Sequence, residues 1–207
     1  MQARCAPSWR SGDERVLYVY CHPLDDSFHA AIRHEAVAGL TQAGHSVDPL
    51  DLYAEGFDPV LTAERRRDYH DPARNRANNR AHVDRLMAAE ALVVQFPTWS
   101  FGPPAMLKGW FDLMFGPGIA MDLADPAHAK PLLQHIRRIS GISTYGRPRL
   151  KAIAMADPPR KIVTRYLPWF TGFKAKVRYH ALYHMNIATA VRRRRFLAEV
   201  RRAIERL

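Results

Sequence analysis

At 207 residues and 47% hydrophobic content, the chain is long enough for one substantial core and fits a single domain better than two. No apolar run approaches the roughly 18 residues of a membrane span, and the opening MQARCAPSWRSGDER lacks the apolar block of a secretory signal. The formal charge of +11 draws anionic partners through long-range field, without choosing among nucleic acid, lipid and phosphorylated small molecules.

These features imply a cytoplasmic protein with residues 1–15 as a flexible tail and 16–207 as one domain. Residues 16–21, VLYVYC, are predicted as the first strand, ending at HPLDDSF, and residues 28–43 as a helix closed by Gly44. HSVDPLDLY alternates as a second strand, with Pro49 placing it at a sheet edge. Residues 61–90, polar and rich in Arg and Asn, are expected to hold a long loop around DYHDPARN and then a helix from Asn78 to Ala89. The third strand is 91–96. In QFPTWSFGPPAMLKGWFDLMF, the segment PTWSFGPP reads as a fixed turn, because proline cannot donate to a sheet ladder and glycine tolerates unusual dihedrals. A helix over 103–115 comes next, with Leu107, Phe111 and Met114 apolar. RRISGISTYG fits a fourth strand, 158–172 a short helix and VRYHALYHM a fifth strand. Arg192–Arg195 lead into a last helix with Phe196, Leu197, Val200, Ile204 and Leu207 at helical spacing, its arginines either a solvated face or an anion-binding or partner surface.

Strands alternating with helices imply an α/β fold, a doubly wound parallel sheet covered on both faces. Ligands of such sheets sit outside the carboxyl ends of the strands, where CHPLDDSFH, PTWSFGPP and STYGRPR converge. Neither GxGxxG nor a P-loop is present. Ser27, just before the first helix, either donates with free backbone N–H groups and His22 to a phosphate or merely caps the helix. Cys5 and Cys21 form no disulfide framework or CxxC site, and Cys21 reads as buried. No metal is predicted: His180 and His184, on a strand, would lie roughly 13 Å apart, and His70, Asp71 and His82 make no persuasive set. Asp25 and Asp26 compensate the helix N-terminus.

CHPLDDSFH, LYAEGFDPVL and FPTWSFGPPAMLKGWFDLMFGPG resemble the motifs of the flavodoxin-like NAD(P)H:quinone oxidoreductases, a family that includes ancillary flavoproteins of potassium efflux systems. The resemblance covers residues 16–120. It implies a flavodoxin-like five-stranded sheet of order 2-1-3-4-5 with helices on both faces, and a flavin at the switch point, FMN with FAD as the alternative. His22, Ser27 and Phe28 would surround the flavin phosphate. Pro97, Thr98, Trp99, Ser100 and Phe101 would line the ring edge, and Ser143, Thr144, Tyr145 and Gly146 stand at the second flavin loop. Lys108, Gly109 and Trp110 look structural, fixing helix packing and a dimer contact. Ser100 stands where the family carries a bulky aromatic, and the family's tyrosine and histidine that assist hydride transfer have no counterpart in RPRLKAIAMADPPRK. Tyr145 is the candidate for contacting the substrate, against a packing role.

The activity implied is hydride transfer from NAD(P)H through flavin to a quinone or similar small acceptor, by a homodimer. Arg147, Arg149 and Lys151 either attract the dinucleotide phosphates or form a solvated loop. A regulatory flavoprotein bound to a membrane transporter is the alternative, suited by the basic surface. Specific nucleic-acid binding is not expected, since no recognition signature accompanies the arginines.

Overall fold

A computed structural model describes residues 14–125 and 127–207. Cys5 and nearly all of the expected tail lie outside them. The first strand, β1 (Arg15–Tyr20), is buried from Val16 onward, and helix α1 (Phe28–Gln42) comes after it. Ser27 caps α1 by accepting from the Ala30 N–H at 3.1 Å. Gly44, at φ 90°, supplies the left-handed step out of the helix toward β2 (Ser46–Asp51).

The segment expected as a long loop is instead helical. It forms α2 (Ala63–Asp68) and α3 (Pro72–Asn78), and the helix expected from Asn78 to Ala89 is present as α4 (Arg80–Ala88). The DYHDP stretch is a helix start: the Asp71 carboxylate accepts from the N–H groups of Ala73 and Arg74 at 3.0 and 3.1 Å, and Pro72 occupies the first turn, where its missing N–H costs nothing.

β3 runs from Ala91 to Thr98, two residues further than expected, and so takes Pro97 and Thr98 out of the turn. Proline is tolerated here for a geometric reason. The Gln95 carbonyl accepts from Cys21 N–H at 3.1 Å, and Pro97, two residues on, points its nitrogen the same way, beyond the end of β1. Next come α5 (Ala105–Met114), then β4 (Met121–Asp122) and β5 (Lys130–Pro131), a small antiparallel ribbon with no counterpart in the predicted elements.

β6 (Arg138–Tyr145) carries Ser143, Thr144 and Tyr145 as strand residues rather than loop. RPRLKAIA, read as loop, contains the helix α6 (Arg149–Ala154). The predicted helix at 158–172 is α7 (Pro158–Lys161), a π-helical turn over Ile162–Tyr166, and α8 (Leu167–Trp169). Val163 of that turn lies against Gly141, where an added Cβ would sit 2.6 Å from the Val163 side chain. β7 (Lys176–Leu182) ends before His184, so only His180 of the two histidines is on the strand. α9 (Ala190–Ile204) closes the chain.

The five long strands pair in parallel in the order β2-β1-β3-β6-β7, the expected 2-1-3-4-5 once the ribbon is set aside, with the proline-bearing β2 at an edge. Side chains alternate between two cores. On one face Ile32, Ala36 and Leu40 of α1 and Phe196, Val200 and Ile204 of α9 cover Val16, Tyr18, Val93 and Ile142. On the other, Leu86, Trp110, Phe111 and Val163 cover Leu17, Val19, Leu92 and Val94. No helix among the described residues is long and apolar enough to cross a membrane.

Candidate functional site

The carboxyl ends of β1, β3 and β6 lie side by side, and the segments leaving them shape one crevice. After β3 the chain makes a tight turn, in which Trp99 N–H donates to Gly102 O at 3.0 Å and Gly102 N–H to Trp99 O at 2.8 Å. The two residues between, Ser100 and Phe101, have φ of 48° and 58°. Left-handed backbone costs a residue with a Cβ roughly 1–2 kcal/mol, and neither is glycine. Strain of this kind persists where the surroundings over-determine it, here Pro97 on one side and Pro103 and Pro104 on the other. The turn's two bonds use the N–H of Trp99 and Gly102, leaving those of Ser100 and Phe101 outside them. Trp99 is exposed, and its ring centroid lies 6.1 Å from that of His22, which stacks on His29 at 5.2 Å.

His29 was not among the expected site residues, yet it sits at the centre of a buried network. The Gln95 amide nitrogen donates to the His29 carbonyl at 2.7 Å, which fixes which end of that amide faces the histidine, because a carbonyl only accepts. The same nitrogen lies 3.1 Å from His29 Nδ1, so Nδ1 is the acceptor and Nε2 carries the hydrogen. Nε2 then donates to Thr144 Oγ1 at 2.9 Å, and Tyr18 O–H donates to the other end of the Gln95 amide. Thr144, 5% exposed at the end of β6, keeps its own hydrogen free for the crevice. Burial, and then the neighbouring His22, pushes the His29 pKa down to about 3, consistent with a neutral ring.

The Tyr145 ring does not line the crevice. It is 1% exposed, its hydroxyl donates to Asp157 Oδ1 at 2.6 Å and lies 2.5 Å from the Tyr179 hydroxyl, and it stacks on Tyr183 at 4.5 Å. The direct substrate contact expected of Tyr145 therefore gives way to the packing reading, for the physical reason that its hydroxyl is already doubly engaged. Burial and Tyr179 raise its pKa well above the ordinary phenol range. Beneath it, Ser143 Oγ lies 3.1 Å from Thr98 Oγ1.

At the start of α1, the two readings of Ser27 meet: it does cap the helix, and it also borders a groove of about 740 Å³ with Asp25, Asp26, Arg33 and Pro49. The Tyr20 hydroxyl nearby is buried, faces Ser27 and finds no partner in good geometry. Arg33 lies over the Tyr20 ring at 4.3 Å and is paired with Asp51. Phe28 turns its ring to Phe196, with centroids 6.4 Å apart, so only its backbone N–H remains for an anion. Ser27→Ala is expected to destabilise the fold by about 1 kcal/mol through the lost cap, read as a lower urea midpoint; an unchanged midpoint would mean that the cap is made by water equally well.

The other sequence-derived candidates fall in three places. His22, with Nδ1 accepting from Leu24 N–H at 3.2 Å, Ser27 and Thr144 lie on the α1 face of the sheet; Pro97, Thr98, Trp99, Ser100 and Phe101 form the strand end and turn. Gly146 stands just after β6 and is covered by Asn186, 3.0 Å from where a Cβ would stand. Cys21 is fully buried, its pKa pushed up to about 12 by burial, which makes it a poor nucleophile near neutrality. A concavity of about 770 Å³ lies beside the strand ends, between α5 and the helical run after Asp157. A groove of about 410 Å³ next to it is lined by Arg149, Arg160, Lys161 and Arg165. Among the described residues no group of three or more His, Cys, Asp or Glu could hold a metal ion.

The sequence pattern of the flavodoxin-like fold matches residues 14–207. YcaK of Escherichia coli K12, an uncharacterised NAD(P)H oxidoreductase, is 35% identical over 109 residues, 52% of this chain and 55% of that protein. The NAD(P)H dehydrogenase (quinone) 1 of Cavia porcellus is 30% identical over 151 residues, 64% of this chain and 54% of that one. The chain thus spans about half the length of the curated relatives it matches. The crystal structure of Smu.1420 from Streptococcus mutans UA159 superposes with a TM-score of 0.80 at 28% identity, covering 93% of this chain and 100% of that one. An FMN-dependent NADH-azoreductase from Bacillus anthracis, solved in complex with FMN, shares the fold at a TM-score of 0.72 and 15% identity, covering 93% and 98%. With its strand order and a pattern match from β1 through α9, the chain belongs to the flavodoxin-like fold family.

Proposed function

We propose that the protein is a flavin-dependent NAD(P)H oxidoreductase that passes hydride from NAD(P)H to a quinone or similar small acceptor. The observation that carries this reading is the left-handed Ser100–Phe101 pair, a strained turn that leaves two adjacent N–H groups at the strand-end crevice. Relatives named as NAD(P)H oxidoreductase and NAD(P)H dehydrogenase (quinone) support it. A bound flavin would supply two-electron hydride chemistry. FMN is the cofactor of choice, since neighbours of this fold are described with FMN.

The chain's own residues have distinct tasks in this reading. Ser100 and Phe101 N–H and the Thr144 hydroxyl donate to electronegative ring atoms, and Trp99 offers an exposed aromatic wall beside His22. The first N–H groups of α1, the Ser27 hydroxyl and the unpartnered Tyr20 hydroxyl face a phosphate. Arg149 and Lys151, on α6 rather than a loop, and Arg147 before it add positive field for a dinucleotide. A second copy covering the apolar groove beside α5 would make the dimer.

An absorbance spectrum of the purified protein, taken before and after anaerobic NADPH, tests this. Bands near about 375 and 450 nm that bleach are expected, and the mass of the released cofactor separates FMN from FAD. A colourless protein that takes up neither flavin on reconstitution would overturn the reading.

A further inference from the structure

Four cations line one groove, and among the described residues none of them has a counter-ion. Arg149 of α6 and Arg160, Lys161 and Arg165 of the helical run after it surround a hollow of about 410 Å³. All four are exposed. The one carboxylate in the lining, Asp157, is buried, and its oxygens are turned to hydroxyls, Oδ1 to Tyr145 at 2.6 Å and Oδ2 to Tyr183 at 3.4 Å. The groove is left with a net positive charge.

The backbone holds these charges together against their repulsion. The π-helical turn over Ile162–Tyr166 closes its hydrogen bonds over five residues, so side chains five apart, Arg160 and Arg165, come onto one face. Lys161 and Arg165, four apart, repel one another. Arg160 is steadied by the Tyr179 ring, its guanidinium carbon 5.5 Å from the centroid, and its carbonyl accepts from the Thr164 hydroxyl at 2.8 Å. At the junction of α6 and α7, Ala156 and Asp157 are left-handed at φ 61° and 45°, and neither is glycine. Strained backbone thus gathers like charges around one hollow, and an anion is the ligand that relieves their repulsion.

We propose that this groove takes the phosphate monoester on the adenosine ribose of NADPH, and so makes NADPH rather than NADH the hydride donor. The inference rests on the proposed hydride reaction. Its position fits that role. Tyr145 directly follows Thr144, whose hydroxyl faces the crevice, and binds Asp157, which lines the groove, so the two places stand one tyrosine side chain apart, within the span of a dinucleotide. Its charge fits as well. A phosphate monoester carries about −1.5 to −2 charges at pH 7, and the planar guanidinium forks of Arg149, Arg160 and Arg165 suit its oxygens. NADH has no such group and leaves the cations unneutralised.

Adenosine 2′,5′-bisphosphate and adenosine 5′-diphosphate carry similar charge but differ in whether a phosphate sits on the ribose, so the overall charge of +11 does not separate them. In titration calorimetry the wild-type protein is expected to bind the bisphosphate at least about tenfold more tightly, and R160Q/R165Q to bind the two within about threefold of one another. Thr164→Glu, which keeps all the cations and sets a carboxylate among them, should lose the preference likewise. Equal binding by wild type, or a preference that survives R160Q/R165Q, overturns the inference. So does inorganic phosphate that binds as tightly as the bisphosphate and displaces it, since the groove is then a site for free anions. With a quinone as acceptor, the ratio of kcat/KM for NADPH to that for NADH should exceed about ten in wild type and fall to about one in R160Q/R165Q. A flavoprotein that oxidises both donors alike overturns the inference and leaves the flavin reading intact. A bisphosphate preference in a protein that takes up no flavin overturns the functional reading and the donor role with it, and leaves the groove a site for an adenosine 2′-phosphate.

Discussion

Gly109→Ala should destabilise the fold by on the order of 3 kcal/mol, although the same change in an ordinary helix stabilises by about 1 kcal/mol. Gly109 is buried in the middle of α5. An added Cβ there would stand 2.3 Å from the Pro59 carbonyl oxygen, 2.4 Å from its Cβ and 2.7 Å from its Cα. Two of these are backbone atoms, and the loop that carries them is tied down. Asp58 accepts from Val60 N–H at 3.1 Å and from Arg65 at 3.1 Å, so Pro59 has little room to retreat. Moving α5 is no cheaper, because Leu107, Trp110, Phe111 and Met114 are all buried against the sheet. A domain with a typical margin of about 5–15 kcal/mol survives such a loss but melts well below wild type. A urea midpoint equal to or above that of wild type would show that Pro59 does not pack on this helix. The turn that precedes α5 holds Ser100 and Phe101, so if the proposed flavin binds there, the same variant should also hold it more weakly.

The LKGWFD helix announces this packing in its residue types, since a glycine between large apolar side chains signals close backbone approach; its partner, Pro59, lies 50 residues earlier and has no local mark. The alternating strands and helices were legible in the same way, from apolar runs of strand length separated by helical patterns, and Pro49 correctly placed β2 at an edge, while the order of the strands came from the family resemblance. The helices at 63–78 were missed because polar composition outweighed the Asp71-Pro72 start signal, which was there to be read, whereas the helix expected from Asn78 to Ala89 is present as α4. The strained turn could not be read. Nothing in WSFG says that Ser and Phe, rather than Gly, take positive φ. The two buried networks differ in this respect. Gln95 stands inside the apolar run ALVVQF, and a polar amide in a fully buried strand demands partners. His29 falls three residues before Ile32 and seven before Ala36, on the buried stripe of α1. Together they marked a polar core, but not that it would end at Thr144. Asp157, Tyr145 and Tyr179 carry no such signal, because the kink that joins them depends on two left-handed residues in an ordinary-looking MADPP.

His29 should make the protein lose stability on acidification in a window set by its own pKa. Burial lowers that pKa from 6.5 to about 3, so between these values the unfolded chain binds a proton that the folded chain refuses. Stability therefore rises with pH through the window. The contribution is fully present above about pH 6.5 and is lost progressively as pH falls toward about 3, a total on the order of 5 kcal/mol. His82 and His180 are also shifted down by burial and act in the same direction, so the wild-type curve alone does not isolate His29. The difference between wild type and His29→Gln does. From pH 7 to about 4.5, wild type should lose on the order of 2–3 kcal/mol more than the variant in urea unfolding, and equal losses would mean that His29 is solvated or protonated in the fold. The reason for the refusal is geometric as well as dielectric. A charged ring would aim an N–H from Nδ1 at the Gln95 amide nitrogen 3.1 Å away, and that amide cannot turn over without giving up its 2.7 Å bond to the His29 carbonyl. Protonation leaves the Nε2–H bond to Thr144 in place but sets two hydrogens against each other between Nδ1 and the Gln95 amide, so the network loses stability in this acid range.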